Sequence, residues 1–208
     1  MGVTASQLSI ARGGRVLLTG LDFHLGAGQI LVLRGGNGSG KTSLLRVIAG
    51  LSPAAAGRLE CDPDQILFAG HLDAIKEAMS VRENLAFWAQ LYGEAPARLS
   101  HALAAFELTE LETRLASHLS AGQRRRLGLA RLAVSQRKIW ALDEPTVTLD
   151  HAHLDLFERQ LAMHLERGGS AILSTHLAFS NLPHQSLELS DFAANSATTA
   201  DPFLDAAL

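Results

Sequence analysis

Cysteine is almost absent from this 208-residue chain, which carries only Cys61. A single thiol excludes an internal disulfide, a cysteine-rich zinc site and a Cys-x-x-Cys-His haem attachment, and it suits a reducing compartment. Basic charge is not in excess either. The 18 Lys and Arg against 21 Asp and Glu leave a net charge of −3, without the basic footprint of a nucleic-acid binder. The first residues, Met1 to Ser6, show no charged stretch leading into an apolar segment, so no signal peptide is expected. No apolar run reaches about 18 residues, so no transmembrane helix is expected, and membrane contact would be indirect, through a partner. Internal repeats and low-complexity segments are missing as well. What is present, 47% hydrophobic and 19% charged residues, suffices for one medium domain with a substantial core and argues against disorder.

Gly35-Gly36-Asn37-Gly38-Ser39-Gly40-Lys41-Thr42 fits the pattern G-x-x-x-x-G-K-[ST]. Before it, Gln29 to Arg34 reads as a buried strand; after it, Ser43 to Gly50 reads as a helix stopped by its glycine. A strand, a glycine-rich loop and a helix in that order turn successive backbone N–H groups inward at the positive end of a helix dipole. Glycines allow positive φ and a close approach of phosphate oxygens to the main chain. Lys41 is placed to reach β- and γ-phosphates, and the Thr42 hydroxyl to take one position on Mg²⁺. A nucleoside triphosphate is the expected ligand.

Around this unit, Gln7 to Leu25 falls into short β-like pieces (7–10, 15–18 and 21–25) broken by Gly13-Gly14 and Gly26, which predicts a small antiparallel sheet. Pro53, Gly57 and Pro63 predict turns, and Gln65 to Ala69 a second buried strand. Ser80-Val81-Arg82-Glu83 has the capping-box spacing and predicts a helix to Tyr92, stopped at Gly93. Further helical signal covers Ala97 to Phe106 and Leu108 to Leu115, giving a helical insert over about 72–118. Phe87, Trp88, Leu91 and Tyr92 read as helical core. A helix from about Gln123 to Val134, a strand Ile139 to Leu142, a helix His151 to Glu166 and a strand Ala171 to Ser174 follow. The domain is expected to span 1–192, with 193–208 as a flexible tail.

The strand Ile139 to Leu142 ends in Asp143-Glu144. Alternation along a strand sends neighbouring side chains to opposite sides, so the two carboxylates divide the work. Asp143 suits the Mg²⁺ environment, and Glu144, just past the strand, suits polarising an attacking water.

Leu119-Ser120-Ala121-Gly122-Gln123 resembles the LSGGQ signature of the ATP-binding-cassette (ABC) ATPases, and Asp143 to Asp150 resembles that family's run from the Walker B strand into the D-loop. His176, just beyond the strand Ala171 to Ser174, stands at the family's switch-histidine position. The five elements keep the family order from about Gln7 to His176. The resemblance implies an α/β P-loop NTPase fold, an ABC nucleotide-binding domain with an antiparallel β subdomain and an inserted α-helical subdomain. It also implies ATP and Mg²⁺, and a second copy of the chain as partner in an ATP sandwich. Ser120, Ala121, Gly122 and Gln123, with Asp150, would then close over nucleotide held by the other copy's phosphate loop. Lys41, Glu144 and His176 would be the catalytic set.

The chain departs from the family pattern at four positions. His71 stands where the family usually has a Gln that ligates Mg²⁺ and senses the membrane partner. Imidazole suits hard Mg²⁺ less well than an amide oxygen, which leaves ligation, sensing and a plain loop histidine all open. The aromatic that stacks on adenine is missing, and Arg12 is nearest to its place, either stacking on the purine or serving as a solvated turn residue. Ala121 replaces a signature glycine, which requires negative φ there. Val147 replaces a D-loop Ser. Arg124-Arg125-Arg126 reads as the exposed face of the signature helix, and His151 and His153 as a solvated pair with rings pointing apart.

Within the family, Gly70-His71, the Ser-Ala-Gly-Gln signature and the arginines after it resemble the ATPase subunit of the bacterial haem exporter of cytochrome c maturation. That implies a peripheral subunit on the cytoplasmic face of the inner membrane, bound to integral permease subunits, with no nucleic acid involved. The alternatives are the ATPase of another small ABC transporter and a soluble, non-transport ABC ATPase.

Overall fold

The structure is a computed structural model that describes residues 2–70, 73–147, 149–175 and 182–194; His71, His176 and positions 195–208 of the expected tail lie outside the described residues. Its centre is a parallel sheet of β3 (Ile30–Arg34), β5 (Ile66–Ala69), β6 (Ile139–Asp143), β7 (Ser170–Ser174) and β8 (Gln185–Glu188), in the order β5-β6-β7-β3-β8. Parallel strands covered on both faces need apolar residues at every position, and β6 and β7 are buried throughout. Successive side chains divide between two cores. Ile30, Val32, Trp140, Leu142 and Leu173 face one, and Leu31, Leu33, Ile139, Ala141 and Ile172 face the other.

The first core is closed by α2 (Val81–Tyr92), α3 (Arg98–Ala105), α4 (Ala121–Val134) and α5 (His151–Glu166). The second is filled by α1 (Lys41–Ile48), which meets both the parallel sheet and a separate antiparallel one. That second sheet has the order β2-β1-β4, from β1 (Val3–Arg12), β2 (Arg15–Leu25) and β4 (Ala56–Glu60). The predicted fold class, an α/β P-loop architecture with an antiparallel β part and an inserted helical part, is the one observed.

Several local expectations need correction. The three short β pieces are two long strands, with Gly20 (φ 68) inside β2 rather than ending it. Gly57 lies within β4, not in a turn. It sits at φ 79 against the irregular stretch of β1 at Gln7 (φ 50), where a Cβ would stand 2.1 Å from the Gln7 carbonyl oxygen. Leu108 to Leu115 is not an α-helix; its only regular turn is a 3-10 turn at Thr109–Leu111. Its backbone instead serves α2, because the Val81 and Arg82 amides donate to the Arg114 and Glu112 carbonyls at 3.0 and 2.9 Å. β8 was not anticipated, since Gln185, Ser186 and Glu188 supply no apolar run. It is an edge strand paired with β3, in which only Leu187 is half-buried against the core. The Ala194 amide donates to the Leu17 carbonyl at 3.0 Å, joining the last described residues to β2.

The capping box ahead of α2 forms as its spacing predicts: the Glu83 amide donates to Ser80 Oγ at 3.2 Å and the Ser80 amide to Glu83 Oε2 at 2.7 Å. The aromatic cluster on α2 is less buried than expected. Phe87, Trp88 and Tyr92 are half-buried, with Trp88 stacked on Tyr92 and Phe87 meeting Trp88 edge-on, and Leu91 is 59% exposed.

Candidate nucleotide site

The glycine-rich stretch links the end of β3 to the start of α1. Gly35, Gly38 and Gly40 take φ of 139, 81 and 99, and Gly40 caps α1 without any side-chain hydrogen bond. The backbone turn favours glycine at Gly40, and a Cβ there would also crowd Leu18 Cδ1 at 2.9 Å. The first amides of α1 consequently have no side-chain acceptor and face an anion-sized opening. That opening is a cleft of about 270 Å³ bounded by residues 37 to 43, Arg12, Leu17, Asp143 and Glu144.

Two polar groups in the loop fit a phosphate. The Lys41 amine folds back to donate to the Gly35 and Gly36 carbonyls at 2.7 and 3.1 Å, weak neutral acceptors that charged phosphate oxygens would outcompete. The Ser39 hydroxyl is buried with no hydrogen-bond partner among the described residues.

Across the cleft, Thr42 Oγ1 donates to Asp143 Oδ2 at 2.8 Å, and Ser174 Oγ donates to Asp143 Oδ1 at 2.8 Å. A hydroxyl and a carboxylate side by side are hard oxygen donors of the kind Mg²⁺ takes. β6 and β7 run in register with Asp143 opposite Ser174, which is why these two side chains meet. Glu144 follows with φ 50, a left-handed conformation costing about 1–2 kcal/mol for a residue with a Cβ. Its amide is held by Ser174 Oγ at 2.9 Å and its carbonyl by the Arg125 guanidinium.

The structure thus brings Arg12, Asn37, Gly38, Ser39, Gly40, Lys41, Thr42, Asp143 and Glu144 to one cleft, with the Gly35 and Gly36 carbonyls behind it. Ser120, Ala121, Gly122, Gln123 and Asp150 do not line that cleft. Ser120 caps α4 in a second capping box with Gln123, and Ser120 and Ala121 are exposed. Ala121 opens the helix with negative φ, so its methyl carries no strain. Asp150 caps α5, where the His153 amide lowers its carboxyl below the usual range. His153 Nδ1 lies 2.7 Å from the same carboxylate, so His153 is engaged in the cap rather than simply solvated.

The arginine run is not an exposed face. Arg125 is buried, Arg124 pairs with Glu77 at 3.0 Å, and Arg126 donates to the Phe106 and Glu107 carbonyls at 3.2 and 3.0 Å. Sequence reasoning missed Arg125 and Ser174 as site neighbours. Ser174 could have been found as the polar end of an otherwise apolar strand, whereas Arg125 lies in a charged run that ordinarily signals a solvated surface.

The ABC transporter family profile matches residues 18–147, and an ABC transporter ATP-binding protein from Pyrococcus furiosus superposes with a TM-score of 0.83 over 93% of this chain and all of that one, at 23% identity. The chain belongs to the ABC transporter family, and within it to the ATP-binding proteins of ATPase class. The cytochrome c biogenesis ATP-binding export protein CcmA of Ruegeria pomeroyi is 48% identical over 97% of this chain and 98% of its own length. CcmA of Paracoccus denitrificans is 50% identical over 91% and 89% of the two chains. This is a CcmA-like ABC ATP-binding protein.

Proposed function

We propose that the chain is the ATP-hydrolysing subunit of an export complex serving cytochrome c biogenesis, with haem as the exported group and a haem-handling partner beyond the membrane as its recipient. The observation that carries the catalytic half is the contact between Thr42, Asp143 and Ser174 beside a glycine loop holding Lys41. The similarity to CcmA export proteins carries the biological half.

Gly35 to Gly40 present backbone N–H groups to the phosphates, and Lys41 exchanges the loop carbonyls for β- and γ-phosphate oxygens. Thr42 and Asp143 would hold Mg²⁺, which would supply charge neutralisation for the phosphates, and His71 would serve as a further ligand or as a sensor. Glu144 orients and polarises the attacking water, and His176 contacts the γ-phosphate. Arg12 lies against the base. Most of the rate then comes from positioning and charge stabilisation.

The exposed α4 tip fits a second reading role: Ser120, Ala121, Gly122, Gln123 and Asp150 close over nucleotide bound by another copy of this chain. A helix N-terminus is an anion site, and this one lies outside its own chain's cleft. Integral permease subunits would dock along the aromatic edge of α2, where Phe87, Trp88 and Tyr92 are half-buried and Leu91 is exposed. Among the described residues no helix is long and apolar enough to cross a membrane. The likeness to CcmA export proteins supports a peripheral place on the cytoplasmic face of the bacterial inner membrane as the proposed one.

The test is co-purification from membranes with the chain's integral partners, followed by ATP hydrolysis with Glu144→Gln as control. Partner-bound hydrolysis lost in Glu144→Gln supports the proposal. A protein recovered wholly in the soluble fraction with its pathway co-expressed overturns the exporter reading, and undiminished hydrolysis by Glu144→Gln overturns the role of Glu144.

A further inference from the structure

Arg125 is the fifth residue of α4, and its side chain is only 6% exposed. It reaches out of its helix to two separate segments. Nη1 donates to Asp73 Oδ1 at 2.7 Å, Nε donates to the Pro145 carbonyl at 3.1 Å, and Nη2 donates to the Glu144 carbonyl. Each segment contains a non-glycine residue in the left-handed region, Ala74 at φ 52 next to Asp73 and Glu144 itself at φ 50. Such conformations persist only where the surroundings over-determine them. α4 also packs tightly on Asp73, since a Cβ at Gly128 would stand 2.9 Å from Asp73 Cβ.

The Glu144 peptide is gripped from both sides. Ser174 Oγ accepts from its amide at 2.9 Å, and Arg125 donates to its carbonyl. Without the guanidinium, the Glu144 and Pro145 carbonyls lose their charged donor, and the strained φ loses one of its restraints. Relaxation of that φ would swing the Glu144 carboxylate, whereas the phosphate loop, which Arg125 does not touch, would keep its shape.

We propose that Arg125 is a positioning residue for hydrolysis: it locks the turn that aims Glu144 and fastens that turn, through Asp73, to the segment leading out of β5. The inference rests on Glu144 polarising the attacking water. It makes the signature helix responsible for the chain's own water site, in addition to its exposed N-terminal tip. A planar fork with several donors suits this task, because one side chain must serve a carboxylate and two carbonyls at once.

The full-length chain would be assayed as Arg125→Met, which keeps the bulk and removes every donor, and as Arg125→Lys, which keeps the charge but not the fork. Both variants are expected to bind ATP with unchanged affinity and KM while kcat falls about 10- to 100-fold, Lys less than Met. Should Arg125→Met not fold, Arg125→Lys is read by the same criteria. Unchanged kcat overturns the inference, and so does a parallel loss of ATP affinity and kcat, which would mark a general structural role. Glu144→Gln separates the two levels. If Glu144→Gln is inactive and the Arg125 variants are not impaired, only the positioning role fails; if Glu144→Gln hydrolyses normally, the role of Glu144 itself fails.

Discussion

The Lys41 amine donates to the Gly35 and Gly36 carbonyls, weak acceptors that phosphate oxygens are proposed to replace. Lys41→Ala is therefore expected to weaken ATP binding about 100-fold or more, since charged hydrogen bonds to two phosphates contribute roughly 3 kcal/mol or more together. Titration with a fluorescent ATP analogue checks this, and near-normal affinity would remove Lys41 from the site. Gly57 has a purely structural role, set by positive φ and the nearby Gln7 carbonyl. Gly57→Ala should cost about 2 kcal/mol or more of unfolding free energy in urea without altering ATP affinity. The phosphate loop was legible in the sequence because its chemistry is local, eight consecutive residues between a strand and a helix. Arg125 was not legible, because its partners Asp73 and Glu144 lie far along the chain and only packing brings them together.

Elements with their own stop signals could be read almost to the residue. α2 begins after the Ser80 cap and ends at Gly93 (φ 72), and α5 runs His151–Glu166 as its periodicity predicts. Strands whose existence depends on a neighbour were harder. β4 has one half-buried residue in five and exists by pairing with β1, and β8 exists by pairing with β3. At the far end of β6 from Asp143, the Trp140 ring stacks on His164 at 3.8 Å between centroids. Burial pushes the His164 imidazole down from its ordinary 6.5 to about 4. The unfolded chain then binds the extra proton first as pH falls, so stability is full above about 6.5 and declines between 6.5 and 4. The decline should approach about 3 kcal/mol once the pH is well below 4. Thermal melts of the wild type and His164→Gln across that window check it: the variant should start lower, having lost the stack, and fall less steeply. Equal slopes would show that His164 protonates alike in both states.

At the scale of the whole molecule, the two cores explain how one chain can carry a rigid nucleotide cleft and a separate helical unit. α1 ties the cleft to both sheets, while α2, α3 and α4 share the other core with α5. The overall class followed from motif order in the sequence, and the topology of the two sheets agrees with it. The exposed tip of α4 is the feature that a single chain leaves without a ligand in its own cleft. On the proposed account it is completed by a second copy, with ATP between them. The most direct test is the solution mass of Glu144→Gln with and without Mg²⁺ and ATP, measured by light scattering during gel filtration. The account predicts twice the monomer mass with ATP and a monomer without it, the ATP-dependent form being lost when Lys41→Ala is added; a monomer under both conditions, with ATP demonstrably bound, would contradict it.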